Sequence, residues 1–239
     1  MSTAVAPAVR SRSQAKLVFF IAFGLLTLLV TYMKNARILD PSSAIAQHFA
    51  PVKWYLIAHA FFGATAMLLG AFQFSDRLRA RYLKVHRTLG YVYVVSVFIS
   101  APFAIPVASR IGSLSLVAAS GVQSLGWMAT TAIALYCVRH RNIAQHRRWM
   151  IRSYPFAMVF TAARLIHLIP AISRLGLTGT EMVVWTMIAL AAFLPNILLE
   201  WRAIVARPAA KVTAVGGMAS AGSGVQLSHD YSGGIYPAA

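Results

Sequence analysis

Stretches of about twenty residues nearly free of charge recur along this chain, and they limit what it can fold into more than any other feature. They cover residues 17–33, 54–75, 88–109, 111–138, 153–173 and 182–201. A helix rising about 1.5 Å per residue needs such a length to cross about 30 Å of hydrocarbon. The strict alternation of a membrane β-strand is absent, which argues against a barrel. Within lipid the backbone must satisfy its own hydrogen bonds, and that leaves helices. The expectation is an all-α, polytopic membrane bundle of six transmembrane helices. Composition agrees: 59 % of the 239 residues are apolar and 11 % are charged, where soluble domains carry about a quarter.

The few charges are lopsided. There are 22 Lys plus Arg against 5 Asp plus Glu, a formal +17. In a soluble protein this would point to nucleic acid. Here the cations sit in the short gaps between apolar stretches, so the orientation bias of membrane proteins accounts for them and no nucleic-acid partner is expected. One set of gaps holds Arg10, Arg12, Lys16, Arg77, Arg79, Arg81, Lys84, Arg87, Arg139, Arg141, Arg147, Arg148, Arg152, Arg202, Arg207 and Lys211. The other holds only Lys34, Arg37, Lys53, Arg110 and Arg174. That asymmetry predicts both termini on the cytoplasmic side.

The chain then divides into a cytoplasmic segment 1–16, a six-helix transmembrane domain 17–204 and a tail 205–239. Arg10, Arg12 and Lys16 before the first stretch imitate a signal peptide, but Ala44-Ile45-Ala46 lies too far beyond it for a cleavage site. The first span is read as a retained anchor. From Pro208 the chain is rich in Gly, Ala and Ser without amphipathic period, the pattern of a disordered tail. In the loop before the second span, Asp40 is placed to cap a short helix. The lone Cys137 excludes an intrachain disulfide or a Cys-based metal cage.

Polar groups inside spans are costly and mark functional hypotheses by default. They are His59, Gln73, Gln123, Arg164, His167, Asn196 and Glu200. His59 and His167 lie at equal depth, about 8 Å below the outer surface, and could ligate one metal or one haem. His59, Gly63, Gly70, Gln73 and Arg77 fall within roughly 40° of one line on a helix. The glycines leave room either for a flat cofactor or for close helix packing. Arg164, one turn from His167, needs an anionic partner such as a haem propionate or lipid phosphate, or else reaches the headgroups. At the opposite face, His86-Arg87 and His146-Arg147 could hold a second haem or lipid phosphates, or simply reflect the positive-inside bias. Asn196 and Glu200 are placed to pair with the basic residues there. Ser113, Ser120, Ser124 and Thr131 form one stripe, a packing face. No nucleophile elbow, zinc-protease pair or phosphate-binding glycine loop occurs.

The strings His86-Arg-Thr-Leu-Gly-Tyr-Val-Tyr93 and His146-Arg-Arg-Trp-Met-Ile-Arg-Ser-Tyr154, with Pro195-Asn196 and Glu200, resemble an uncharacterised bacterial membrane-protein family, the domain of unknown function 2306. The resemblance covers roughly residues 55–203 and implies a multi-pass protein of the bacterial cytoplasmic membrane. More loosely, His-x-x-x-Gly with histidines at two depths is similar to b-type cytochromes of the b561 kind. That similarity implies haem b as cofactor, with His59 and His167 at an outer site and His86 and His146 at an inner one. The chain departs from the pattern in placing His146 and His167 about 31 Å apart along a straight helix. The resulting expectation is a haem-binding electron carrier that exchanges electrons with quinone or another redox protein. The rival is a non-redox transporter, lipid-binding protein or assembly subunit, with anionic lipids at Arg147, Arg148 and Arg152 and structural histidines.

Overall fold

The structure is a computed structural model that describes residues 40–205 together with Ala22, Gly24, Leu25, Leu26, Leu28, Leu29 and Tyr32. The N-terminal segment, most of the predicted first span and the tail beyond 205 lie outside the described residues. Among the described residues every regular element is helical. A short helix α1 (Ala44–Phe49) and a 3-10 turn lead into α2 (Lys53–Gln73). Then follow α3 (Asp76–Arg81), α4 (Leu83–Ser109), α5 (Leu114–Arg139), α6 (Ile143–Ile166), the single turn α7 (Pro170–Ser173) and α8 (Gly176–Val205).

Among the described residues, four helical stretches are long and apolar enough to cross a membrane: Ala44–Gln73, Leu83–Ser109, Leu114–Arg139 and Gly176–Trp201. The expected first span lies outside the described residues, and of the other five expected spans four are reproduced. The predicted span 153–173 is the clearest correction. Its helix begins ten residues earlier, at Ile143, and stops at Ile166, where the His167 N–H closes onto Ala163 and Leu165 carbonyls. Pro170, which cannot continue a helix from its own N–H, opens the separate turn α7. Pro155 does not start α6 but lies inside it, so His146 shares one continuous helix with Arg164. With Arg147, Arg148, Arg152 and Arg164 along it, α6 is the least apolar of the long helices.

The expected role of Asp40 is also corrected. Ser43 caps α1, its hydroxyl accepting from the Ala46 N–H at 3.1 Å. Asp40 instead accepts from the Ser42 hydroxyl at 2.7 Å and the Ser42 N–H at 3.0 Å, bonds that hold its carboxyl below the usual range.

The bundle is built by small residues at helix contacts, as expected where lipid offers no hydrophobic drive between helices. The broadest contact is α2 against α4, followed by α5 with α6, α4 with α5 and α6 with α8. A Cβ on Gly70 would stand 2.6 Å from the Tyr154 ring and 3.0 Å from Tyr93, so a side chain there does not fit. A Cβ on Gly63 would stand 3.0 Å from the Ser100 hydroxyl. The predicted serine stripe of α5 is buried throughout, and Ser124 donates to the Ala101 carbonyl at 2.6 Å. Large apolar side chains face outward instead, among them Leu125, Phe193, Ile197 and Leu114. Exposed Trp54 and Tyr55 mark one end of the bundle, and Tyr82, Tyr136 and Trp201 the other, the placement of interfacial aromatic belts.

Candidate functional site

The site lies where α2 ends, α4 begins, and the chain turns from α5 into α6. These segments enclose a cavity of about 840 Å³. Gln73 and Phe74 close it from α2, Arg79 from α3, and His86, Arg87, Gly90, Tyr91 and Val94 from α4. Leu135, Val138 and Arg139 of α5, Arg141 of the turn, and Ile143, His146, Arg147, Met150 and Ile151 of α6 complete it with Leu83. Two of the predicted site residues, His86 and His146, are thus brought together, and Gln73 joins them.

The lining is cationic and apolar at once. Five arginines and two histidines contribute, and no carboxylate does. Arg79 is engaged, pairing with Asp76 and donating to the Gln73 carbonyl at 3.3 Å. The side chains of Arg87, Arg139, Arg141 and Arg147 make no hydrogen bond or ion pair among the described residues, and all four residues are exposed. Deeper in, two polar groups have unmet needs. The Nε2 of Gln73, a residue only 7 % exposed, has no partner, and neither has the buried Nδ1 of His86. His146 Nδ1 lies 2.8 Å from the Ala134 carbonyl, which can only accept, so Nδ1 carries the proton and Nε2 is left for another group. A buried unsatisfied donor costs about 1–3 kcal/mol, so this end of the molecule is stabilised less than its packing would allow.

The turn that delivers Arg141 is itself unusual. The Arg141 N–H bonds to the Val138 carbonyl and the Asn142 N–H to the Cys137 carbonyl, the double closure of a helix that ends on a left-handed residue. Glycine is the usual occupant of that position, and the α4–α5 turn uses one, Gly112 at φ 79°. The α5–α6 turn places Arg141 there at φ 60°, the only positive-φ residue other than glycine among those described.

Two turns into the bundle from each histidine, the same helices meet in a different way. Tyr93 is seven residues after His86 and Ser153 seven after His146, so each pair shares a helix face. The Tyr93 hydroxyl and Ser153 hydroxyl are 2.8 Å apart, and Ser153 and Thr131 are 2.7 Å apart. Thr131 gives its one proton to the Trp127 carbonyl at 2.7 Å, so it accepts from Ser153, which in turn accepts from Tyr93. Tyr93 accepts the Trp127 indole N–H at 3.2 Å. The circuit starts and ends on Trp127 and leaves no proton to pass on. It is a clasp joining α4, α5 and α6, and not a relay.

The other predicted residues are placed separately. His59 Nδ1 donates to the Ser100 carbonyl at 2.9 Å, and the Ser100 hydroxyl donates back to the His59 carbonyl at 3.0 Å. The Phe160 ring stands edge-on to His59 at 6.4 Å. His167 caps the end of α6 with its Nε2 buried and unpartnered. Neither His59, Arg164 nor His167 lines the basic cavity or the apolar groove between α6 and α8. Gln123 donates to the Phe156 carbonyl at 3.0 Å. Arg148 pairs with Glu200 at 2.6 Å, and Arg152 donates to Asn196 at 2.6 Å, so α6 is tied to α8 at the basic end as the spacing predicted. Arg141 and the convergence of Gln73 on the histidines are what sequence reasoning missed. The seven-residue spacing from His86 to Tyr93 and from His146 to Ser153 signals only the clasp.

Residues 56–204 match the family described as predicted membrane protein (DUF2306). No curated protein and no solved structure matches the chain.

Proposed function

Given that the chain belongs to this family of predicted membrane proteins, we propose that it binds an anionic amphiphile in the basic cavity. One observation carries the reading: four guanidinium groups without partners surround a cavity whose inner wall is apolar. An anion at the mouth would neutralise the arginines, and its hydrocarbon would lie along Gly90, Val94, Met150 and Ile151. The volume falls in the range of small-molecule sites, about 300–1,000 Å³. The reading extends to topology. The segment 17–33 and α6 bring the spans to six, the basic end faces the cytoplasm by its Lys and Arg bias, and the protein sits in the bacterial cytoplasmic membrane. The segments 1–16 and 205–239 flank this domain on the same side.

The test uses the full chain in neutral detergent. Adding dioleoyl phosphatidylglycerol should raise the unfolding temperature where phosphatidylcholine does not, and the double variant Arg87→Gln, Arg147→Gln should lose most of that gain. Equal responses to the two lipids would sink the proposal.

Haem b is a second reading of the same cavity, since its propionates make it an anionic amphiphile too. The donor set favours it in one respect: His146 has its Nδ1 proton fixed by a backbone carbonyl, the arrangement that leaves Nε2 to a metal, and the buried His86 Nδ1 is unpartnered. Bound haem would supply one-electron chemistry, with His86 and His146 as ligands and quinone or a redox protein as partner. The outer pair favours it less, because neither His59 nor His167 lines this cavity. A reduced-minus-oxidised spectrum decides. A b-type band lost in His146→Ala and kept in His59→Ala would establish haem at the inner pair, and a flat spectrum from folded protein grown with haem would remove it.

A further inference from the structure

The geometry points to a terminal phosphate, a phosphomonoester or diphosphate end, as the anion the cavity takes. This rests on reading the cavity as a site for an anionic amphiphile and adds which headgroup fits.

The cations at the mouth do not by themselves choose an anion; the donors behind them do. Gln73 Nε2 at the end of α2 is buried and unpartnered, and so is the Nδ1 of His86 on α4. Both residues line the cavity, so a ligand has to present oxygens past Arg87 and Arg147 to satisfy them. A phosphodiester carries carbon on two sides of its phosphorus and has two free oxygens. It cannot turn an unsubstituted end toward these inner donors. A terminal phosphate has three free oxygens and a single substituent, so it enters end-on with its chain trailing along the apolar wall. A carboxylate has only two oxygens, which one guanidinium can occupy in full.

Charge points the same way. The basic groups that line the cavity with His86 are Arg79 from α3, Arg87 on α4, Arg139 from α5, Arg141 from the turn, and His146 and Arg147 from α6. Only Arg79 has an acidic partner. One negative charge leaves most of this cluster uncompensated, whereas a terminal phosphate brings up to two and a diphosphate more.

The full chain in nanodiscs of phosphatidylcholine, doped with dioleoyl phosphatidic acid or dioleoyl phosphatidylglycerol, provides the test. Phosphatidic acid should bind about tenfold more tightly, the gain of one further charge-assisted hydrogen bond. Gln73→Met, which keeps the volume and removes the amide donor, should abolish the preference, phosphatidic acid then binding no more tightly than phosphatidylglycerol. If Gln73→Met fails to fold, His86→Phe, which removes the other inner group, should abolish the preference in its place. Equal binding of the two anionic lipids would overturn the phosphate inference and leave the amphiphile reading standing. Binding of neither over phosphatidylcholine would overturn both. Inorganic pyrophosphate separates the sources. Displacement of phosphatidic acid by pyrophosphate identifies a site that also takes the free phosphate, and its failure to compete identifies a site that requires the lipid chain.

Discussion

The two ends of the paired helix segments in α4 and α6 use similar residues to opposite effect. At His86 and His146 the polar groups face a cavity, several lack partners, and the backbone turn beside them is held in a left-handed conformation by an arginine. Seven residues further in, at Tyr93 and Ser153, every polar proton has an acceptor and the side chains are fully enclosed. Four buried side-chain polar atoms lack a partner among the described residues, and two of them, Gln73 Nε2 and His86 Nδ1, belong to residues that line the cavity. None belongs to the Tyr93–Ser153 layer, and that is the contrast between the two layers.

Substitutions can break this contrast. The largest effect belongs to the closed layer's packing. Gly70→Val would drive a side chain into Tyr154, whose hydroxyl is anchored on the Met67 carbonyl at 3.0 Å and cannot swing aside. A loss of about 3 kcal/mol, at the upper end of overpacking costs, is expected in denaturant unfolding in detergent. Next comes the clasp. Tyr93→Phe strands the Trp127 indole N–H and should cost about 2 kcal/mol by the same measurement. Because the clasp is not part of the cavity, anionic-lipid affinity should be unchanged in the folded fraction. If affinity falls with stability, the two layers are coupled and the contrast fails. The smallest effect has the opposite sign. Arg141→Gly relieves the left-handed strain and should stabilise the fold by about 1 kcal/mol while weakening anion binding. A variant that gains stability without losing affinity would show that Arg141 serves the turn alone.

The sequence made the helical layers legible to different degrees. The serine stripe of α5 and the tie between α6 and α8 follow from spacing on one helix, which the 3.6-residue period fixes. The extent of α6 did not follow. Pro155 reads as a helix start because it lacks an N–H, yet within an established helix the neighbours absorb that loss. Gly70 was ambiguous for a related reason: room for a cofactor and room for Tyr154 look the same until the facing helix is known. The cavity was half visible. His86 and His146 stood out by composition, but Gln73 meets them only because α2 packs along α4, a long-range fact that no local pattern encodes.

Ile151 lines both the basic cavity and a second, apolar groove of about 240 Å³ between α6 and α8. It is the one residue the two linings share, so a single isoleucine forms the partition between a compartment that meets water and one that meets lipid. Its branched Cβ on a helix leaves it essentially one χ1 rotamer, which makes the partition stiff. A tail lying along the cavity wall, as proposed, would press on a side chain whose other surface belongs to the groove.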